Sequence, residues 1–215
     1  MENEFEPQNF RCKRINHAIE VSAQMFLQSG IDNVKMTDIA DECGIGVATL
    51  YRYFSSKTEL VISAMTYMWE ETKKMFSGVF ESPSFKEQTG LKQCSDLMRM
   101  FIVLYESRPA FMKLLGEFDL MVLREKIPKE KLVDYEKSIL NFYPVFESAY
   151  RTGLKDNSIR EIENFQLFYV SFAHTYMELG KKLLQGEILP SDDFSLGAKE
   201  LETVIDAAVY YMKKV

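Results

Sequence analysis

The side chains best suited to binding chemistry lie close together near the N-terminus of the chain. A helix over residues 47–54 would bury Leu50 and Phe54 and turn Arg52 and Tyr53 outward, because successive residues of a helix are about 100° apart. The outward face begins with small residues and continues with a cation and a phenol. Such a face suits a helix that enters the DNA major groove with its N-terminus first.

Two short helices joined by a three-residue turn would position this face. The first of them is predicted over residues 37–43, with the hydroxyl of Thr37 as its N-terminal cap. Ala40 is small where the two helices must cross, and Gly44 supplies the positive φ that a tight turn needs. These features predict a helix-turn-helix over residues 37–53. The alternative is a small helical bundle in which the outward side chains are merely solvated.

The run MTDIADECGIGVATLYRYFSSKTEL resembles the signature of the TetR family of transcriptional regulators. The positions that agree with that signature are Thr37, Ile39, Ala40, Gly44, Thr49, Leu50, Tyr51, Tyr53, Phe54, Ser56, Lys57 and Leu60. Two positions depart from it: Gly46 replaces the usual Ser, and Val47 is apolar, so a thymine methyl would be its natural partner.

The resemblance implies a homodimeric all-α repressor. Residues 1–58 would form a three-helix DNA-binding domain, and residues 59–215 a helical bundle for ligand binding and dimerisation. The residues at the family's DNA-contact positions are Thr37, Val47, Ala48, Thr49, Tyr51, Arg52, Tyr53 and Lys57. Thr37 and Lys57 occupy the positions that usually contact phosphates, where helix N-termini favour anions.

Charge and cysteine usage narrow the possible functions. The net charge is −6, yet residues 10–58 carry six Lys or Arg against five Asp or Glu, so any DNA contact must come from a few placed residues. Three cysteines without a CxxC pair and only two histidines predict no disulfide framework, no metal site and no cofactor. The acidic N-terminus does not resemble a signal peptide, and no apolar run is long enough to span a membrane. We therefore expect a cytoplasmic protein that does not contact a membrane.

Helical periodicity extends over most of the chain and predicts an all-α fold. The predicted helices cover residues 10–29, 37–43, 47–54, 56–80, 91–107, 109–125, 129–154, 161–185 and 195–214. Residues 81–90 are predicted as a loop, and Pro144 should kink or split the helix that contains it.

The middle helices are rich in aromatic residues and Met, and the resemblance implies that they enclose a ligand pocket. Those predicted to line an effector pocket are Met98, Phe101, Tyr105, Phe118, Met121, Tyr143, Phe146 and Tyr150, although each taken singly also fits ordinary core. The resemblance implies a dimer through the last two helices, with an apolar interface predicted at Phe165, Phe172, Tyr176, Leu201, Ile205, Ala208 and Met212. The alternative is that these faces are buried within one subunit.

The sequence fits three functional classes unequally. The best fit is a repressor that binds a palindromic DNA operator. A small apolar or aromatic effector would release it from DNA, with a cationic effector as second choice. A DNA-binding module switched by a protein partner, without a small ligand, is the alternative. An enzyme is disfavoured, because the chain has no Gly-rich phosphate loop, no G-x-S-x-G and no usefully spaced Cys/His pair.

Overall fold

Helices make up the regular structure of the protein. The computed structural model describes residues 8–139, 142–186 and 189–215. Its helices are α1 (Gln8–Ser29), α2 (Met36–Glu42), α3 (Val47–Phe54), α4 (Lys57–Ser77), α5 (Pro83–Lys86), α6 (Gly90–Ser107), α7 (Pro109–Arg124), α8 (Val133–Ile139), α9 (Tyr143–Lys155), α10 (Phe165–Gln185) and α11 (Gly197–Met212), with a 3₁₀ turn at Lys129–Leu132. In these ranges no strand occurs, and an isolated bridge pairs Ile159 with Lys213. The all-α prediction is confirmed.

The chain packs as two units. The first comprises Met1–Lys73 and Glu117–Ser138, and the second comprises Lys74–Gly116 and Ile139–Val215. Both α4 and α7 therefore begin in one unit and end in the other. The functional division after residue 58 stays a prediction.

The first unit contains the three N-terminal helices. Leu50 and Phe54 of α3 are buried, as are Ile39 and Ala40 of α2, on which α3 packs. Further along the unit, the indole N–H of Trp69 donates to the phenol oxygen of Tyr135 over 3.3 Å.

The second unit has its core between α6, α9, α10 and α11. Gly90 at the start of α6 allows a close approach to α9, because a Cβ there would overlap the backbone of Gly153. The buried phenol of Tyr176 on α10 donates to the carbonyl oxygen of Leu201 on α11 over 2.7 Å. Hydroxyl burial is thereby compensated by a hydrogen bond, as a buried polar group requires.

Several predicted helix ends need correction. Lys35, and not Thr37, is the N-cap of α2, and Asp38 compensates by accepting the Lys35 N–H with its carboxylate. The loop at residues 81–90 contains the short helix α5, whose Ser82 cap accepts the N–H of Phe85. The last helix but one begins four residues later than predicted, at Phe165, because Asn164 caps it by accepting the N–H of Leu167.

The segment around Pro144 is divided, as its sequence predicts. Helix α8 ends at Ile139, α9 begins at Tyr143, and Pro144 occupies the first turn of α9, where a missing N–H costs nothing. Residues 140 and 141 lie outside the described part of the chain, as does the acidic stretch 1–7. Among the described helices none has the length and apolar character needed to cross a membrane.

Candidate nucleic-acid interface

The turn between α2 and α3 is built on one glycine with a left-handed backbone. Gly44 has φ = 64°, and its N–H donates to the carbonyl oxygen of Asp41 over 3.1 Å. Gly46, the N-cap of α3, has an ordinary φ of −67°, and a Cβ there would meet no atom within 4 Å. The usual serine would therefore fit at Gly46, whereas Gly44 is required by the turn.

The outer face of α3 is open to solvent only in part. Ala48 and Arg52 are exposed, as predicted, whereas Tyr53, also predicted to face outward, is half-buried. Tyr51 is 46% exposed, and Val47 is half-buried. Arg52 makes no ion pair among the described residues; its guanidinium carbon lies 6.0 Å from the ring centroid of Tyr53, at the outer limit of a cation–π contact. The guanidinium thus stays available to an external acceptor.

The two residues predicted to contact phosphates lie in different environments. Thr37 is exposed at the second position of α2, and its hydroxyl donates to Oδ1 of Asp38 over 3.1 Å. Lys57 is half-buried, and its Nζ donates to the carbonyl oxygen of Ile31 over 2.6 Å. Burial lowers the pKa of the Lys57 ammonium. The Lys57 ammonium is therefore already bound to the protein's own backbone.

The residues predicted to line an effector pocket are divided between the units. Phe118 and Met121 belong to the first unit, where the ring of Phe118 packs on Tyr135 at a centroid distance of 4.7 Å. The other six lie in the second unit, in or against one hydrophobic cluster: Met98, Phe101, Tyr105, Tyr143, Phe146 and Tyr150.

The contacts of these six are those of a packed core. Tyr150 stacks on Phe165 with ring centroids 4.0 Å apart, and Tyr143 and Phe146 contact Tyr169 at 5.2 and 5.1 Å. The hydroxyl oxygen of Tyr150 also accepts the N–H of Ile162 over 2.8 Å. The pocket at these residues stays a prediction, and their packing fits the alternative of ordinary core.

A cavity of about 450 Å³ lies elsewhere in the second unit. Its apolar lining residues are Met75, Phe76, Val79, Phe80, Phe85, Met100 and Val103, and its polar ones are Ser82, Ser84, Gln88, Asp96 and Arg99. The sequence does not single out any of these residues, because its pattern predicts only a loop between two helices at residues 81–90. The one available signal was the pair Phe80 and Phe85, on either side of Pro83 in an otherwise polar stretch.

The polar groups of this cavity are mostly paired. Nη2 of Arg99 lies 3.2 Å from Oδ1 of Asp206, and Asp96 is bound by Nζ of Lys92. The exception is Oε1 of Gln88, which is buried and has no hydrogen-bond partner within the described residues. That oxygen is closed to solvent, so it does not indicate which polar groups a ligand in the cavity would carry.

The seven residues predicted at the dimer interface are buried within a single chain. Their exposed fractions lie between 0% for Ile205 and Met212 and 9% for Ala208: Phe165, Phe172, Tyr176, Leu201, Ile205, Ala208 and Met212. The dimer interface at these residues stays a prediction, and their burial fits the alternative that these faces are buried within one subunit.

The opposite faces of α10 and α11 carry exposed apolar side chains. Leu167 on α10 is 62% exposed and Tyr210 on α11 is 80% exposed. Tyr211 beside it is committed within the chain, because its ring stacks on Phe168 at 5.5 Å and receives the guanidinium of Arg160 at 3.9 Å. Leu167 and Tyr210 are thus the large apolar groups that these helices leave uncovered.

Residues 18–64 match the family model of bacterial regulatory proteins, tetR family. This range includes α2, the turn, α3 and the start of α4. The match covers the predicted DNA-contact face and does not extend beyond residue 64.

Longer similarities extend beyond this range. The nucleoid occlusion factor SlmA of Shewanella pealeana is 22% identical over 157 residues, which are 73% of this chain and 74% of the relative. Among solved structures, a TetR-family transcriptional regulator from Rhodococcus sp. has a TM-score of 0.67 at 17% identity, covering 92% of this chain and 99% of its own. The regulator FadR of Bacillus subtilis, solved in complex with stearoyl-CoA, has a TM-score of 0.60 at 14% identity, covering 92% and 98%.

Proposed function

Since the chain carries a TetR-family DNA-binding domain within the all-helical fold of that family's regulators, we propose that it is a homodimeric repressor released by a small effector. The observation that carries this proposal is the outer face of α3. That face includes the exposed Arg52, whose guanidinium makes no ion pair within the described residues, and it is oriented by the buried Leu50 and Phe54. A short exposed helix of this kind fits the major groove, which supports the proposal.

The proposed DNA contacts are made mainly by α3. Val47, Ala48 and Thr49 form its first turn, where small side chains allow close approach to base edges. Arg52 and Tyr51 follow on the exposed side and suit a guanine edge or a phosphate. Thr37 and Tyr53 remain candidates for phosphate contacts at the edge of this surface. Lys57 is not included, because its ammonium is bound to the Ile31 carbonyl oxygen.

The proposed dimer uses the outer faces of α10 and α11. Leu167 and Tyr210 are large apolar groups in helices whose inner faces are already buried, and a second copy of the chain would remove them from water. Two helix-turn-helix domains related by a two-fold axis would bind a palindromic operator. Its half-sites would lie about one helical turn apart or modestly further.

The proposed effector is apolar or aromatic and binds in the second unit. The cavity beside α5 has the size and the predominantly apolar wall of a small-molecule site. Its Asp96 and Arg99 are both paired, so its charged groups do not favour a cation. FadR of Bacillus subtilis, a protein of the same fold, binds stearoyl-CoA, which supports a ligand with a long apolar part.

A protein partner is the second candidate switch. Leu120 and Leu123, near the end of α7, are 66% and 74% exposed, and such an apolar pair suits contact with another protein. The relative SlmA is named as a nucleoid occlusion factor, a role that a small effector alone does not describe.

Selection from a random-sequence duplex pool tests the proposed DNA binding. Wild-type protein should enrich a palindromic sequence, and Arg52→Ala should weaken binding to it. Enrichment of no sequence by the dimeric wild-type protein, at low salt as well as at physiological salt, would refute the proposal.

A further inference from the structure

The loop between α1 and α2 is held by two ionised side chains from other helices. The backbone N–H of Ile31 donates to Oε2 of Glu117 over 2.8 Å, and the Ile31 carbonyl oxygen accepts from Nζ of Lys57 over 2.6 Å. The peptide groups on either side of one residue are thus bound by opposite charges. Hydrogen bonds to charged groups are the strong ones, so this is a firm attachment.

A second attachment lies one residue further along the loop. Nη1 and Nη2 of Arg124 donate to Oδ2 and Oδ1 of Asp32 over 3.0 and 2.8 Å, which is a bidentate pair. This hydrogen bonding lowers the pKa of the Asp32 carboxyl. Glu117 and Arg124 are seven residues apart on α7 and therefore lie on the same helix face. One face of α7 thus binds two consecutive residues of the loop.

The first turn of α4 is bound to the same part of the chain. The hydroxyl of Thr58 donates to Oε2 of Glu125 over 2.7 Å. Next to it, Oε1 of Glu59 accepts from Nζ of Lys131 over 2.9 Å. Both ends of the helix-turn-helix are therefore tied to the stretch that follows Gly116.

We propose that Glu117 is a positioning residue that fixes the helix-turn-helix in its DNA-binding orientation. Helix α7 begins in the second unit and passes into the first at Gly116, an interior helix position with high backbone freedom. A displacement of α7 is then transmitted to α2 through the Glu117–Ile31 hydrogen bond. This inference rests on the proposed DNA-binding function and adds the path by which the second unit controls it.

The variants Glu117→Ala and Glu117→Gln test the inference. Alanine removes the acceptor and leaves the Ile31 N–H without its hydrogen-bond partner. Glutamine keeps an oxygen that accepts the same N–H. Glu136→Ala is the matched control, because Glu136 is an exposed carboxylate of the same unit with no interaction in the described structure.

Two measurements are made on each full-length variant. The first is affinity for a duplex enriched by the wild-type protein, as a function of salt. Glu117→Ala should bind about tenfold more weakly with an unchanged salt slope, because no phosphate contact is lost. Glu117→Gln should recover most of that loss, and Glu136→Ala should match the wild type. The second is hydrogen exchange of the Ile31 amide, which should accelerate in Glu117→Ala and stay slow in Glu117→Gln.

The outcomes separate this inference from the proposed function. Faster Ile31 exchange with wild-type affinity for the duplex would overturn the positioning role. Unchanged Ile31 exchange in folded Glu117→Ala would overturn the hydrogen bond itself, and equal losses in the Ala and Gln variants would count against it. If the wild-type protein enriches no duplex, the proposed function fails, and the positioning role falls with it. Circular dichroism identifies a variant that has not folded. If Glu117→Ala is one, a folded Glu117→Gln with faster Ile31 exchange and wild-type affinity would still overturn the positioning role.

Discussion

Gly44 and Gly46 lie two residues apart in one turn, but only Gly44 has a left-handed backbone, with φ = 64° against −67°. Neither position is crowded, because a Cβ at either would meet no atom within 4 Å. Substitutions at the two glycines therefore differ in backbone strain and not in steric clash.

We expect Gly44→Ala to lower the free energy of unfolding by about 1–2 kcal/mol, the cost of a left-handed conformation for a residue with a Cβ. Gly46→Ser should leave it unchanged or raise it by a few tenths, because a serine hydroxyl can cap α3. Urea denaturation of both variants and the wild type measures the difference. Equal effects of the two substitutions would contradict the structural assignment of the turn.

Lys57 and Arg52 should affect DNA binding in different ways. Arg52→Ala should cost about 1–3 kcal/mol on the selected duplex if the guanidinium reads a base. Lys57→Ala should weaken binding without changing the salt slope, because the ammonium supports Ile31. Fluorescence anisotropy across a salt series distinguishes the roles. A slope for Lys57→Ala that is shallower by about one would instead assign Lys57 a phosphate contact.

Assembly is tested by comparing the two faces of the C-terminal helices. Tyr210→Glu or Leu167→Glu should yield a folded monomer, because each places a charge on an exposed apolar face. Leu201→Glu should instead unfold the chain, since Leu201 is 1% exposed and a charge there would be buried without a partner. Sedimentation and circular dichroism read out both effects. A dimeric Tyr210→Glu, Leu167→Glu double variant would exclude this interface.

Local sequence predicted the helix-turn-helix well, because its evidence lies within a few residues. Helix α3 has the predicted bounds, and the pattern of Leu50 and Phe54 alone orients it. By contrast, the stripe of Leu201 and Ile205 was predicted to form an interface, although it is buried in its own subunit. Periodicity identifies an apolar face but does not say which surface covers it.

The tertiary contacts of Glu117 could not be predicted either. Its partner Ile31 is 86 positions away, and the contact is made to a backbone N–H that no side-chain pattern reveals. The cavity beside α5 was missed for a similar reason. Its wall combines the end of α4, the α5 region and α6, and its residues become neighbours only when these segments pack.

Filling the cavity should abolish binding of an apolar probe. Val103 lines it, and Val103→Trp would occupy part of its volume. Nile red, a neutral apolar dye, should gain fluorescence with wild-type protein and lose that gain with Val103→Trp. Leu123→Trp, on an exposed site of the first unit, is the control and should retain it. Equal Nile red binding by all three proteins would mean that the dye binds outside this cavity, and it would contradict the proposed effector site.

The three cysteines should react with an alkylating reagent at very different rates. Cys94, which lies in the second unit, should report opening of that unit. Cys12 is exposed, whereas Cys94 is buried in the hydrophobic cluster, where burial raises the pKa of its thiol to about 12. Because the thiolate is the reactive form and Cys94 has no solvent-accessible surface, Cys94 should label far more slowly than Cys12 at pH 8. Burial also raises the pKa of the Cys43 thiol, so its labelling rate should lie between those of Cys12 and Cys94.

A higher pH should increase the labelling rate of every cysteine, but Cys94 should label rapidly only in denaturant. Mass spectrometry after timed alkylation, with Cys12→Ser to remove the fast phase, measures each site. Rapid labelling of Cys94 in native protein would mean that α6 does not pack as described, and that the core beside the proposed effector cavity is open.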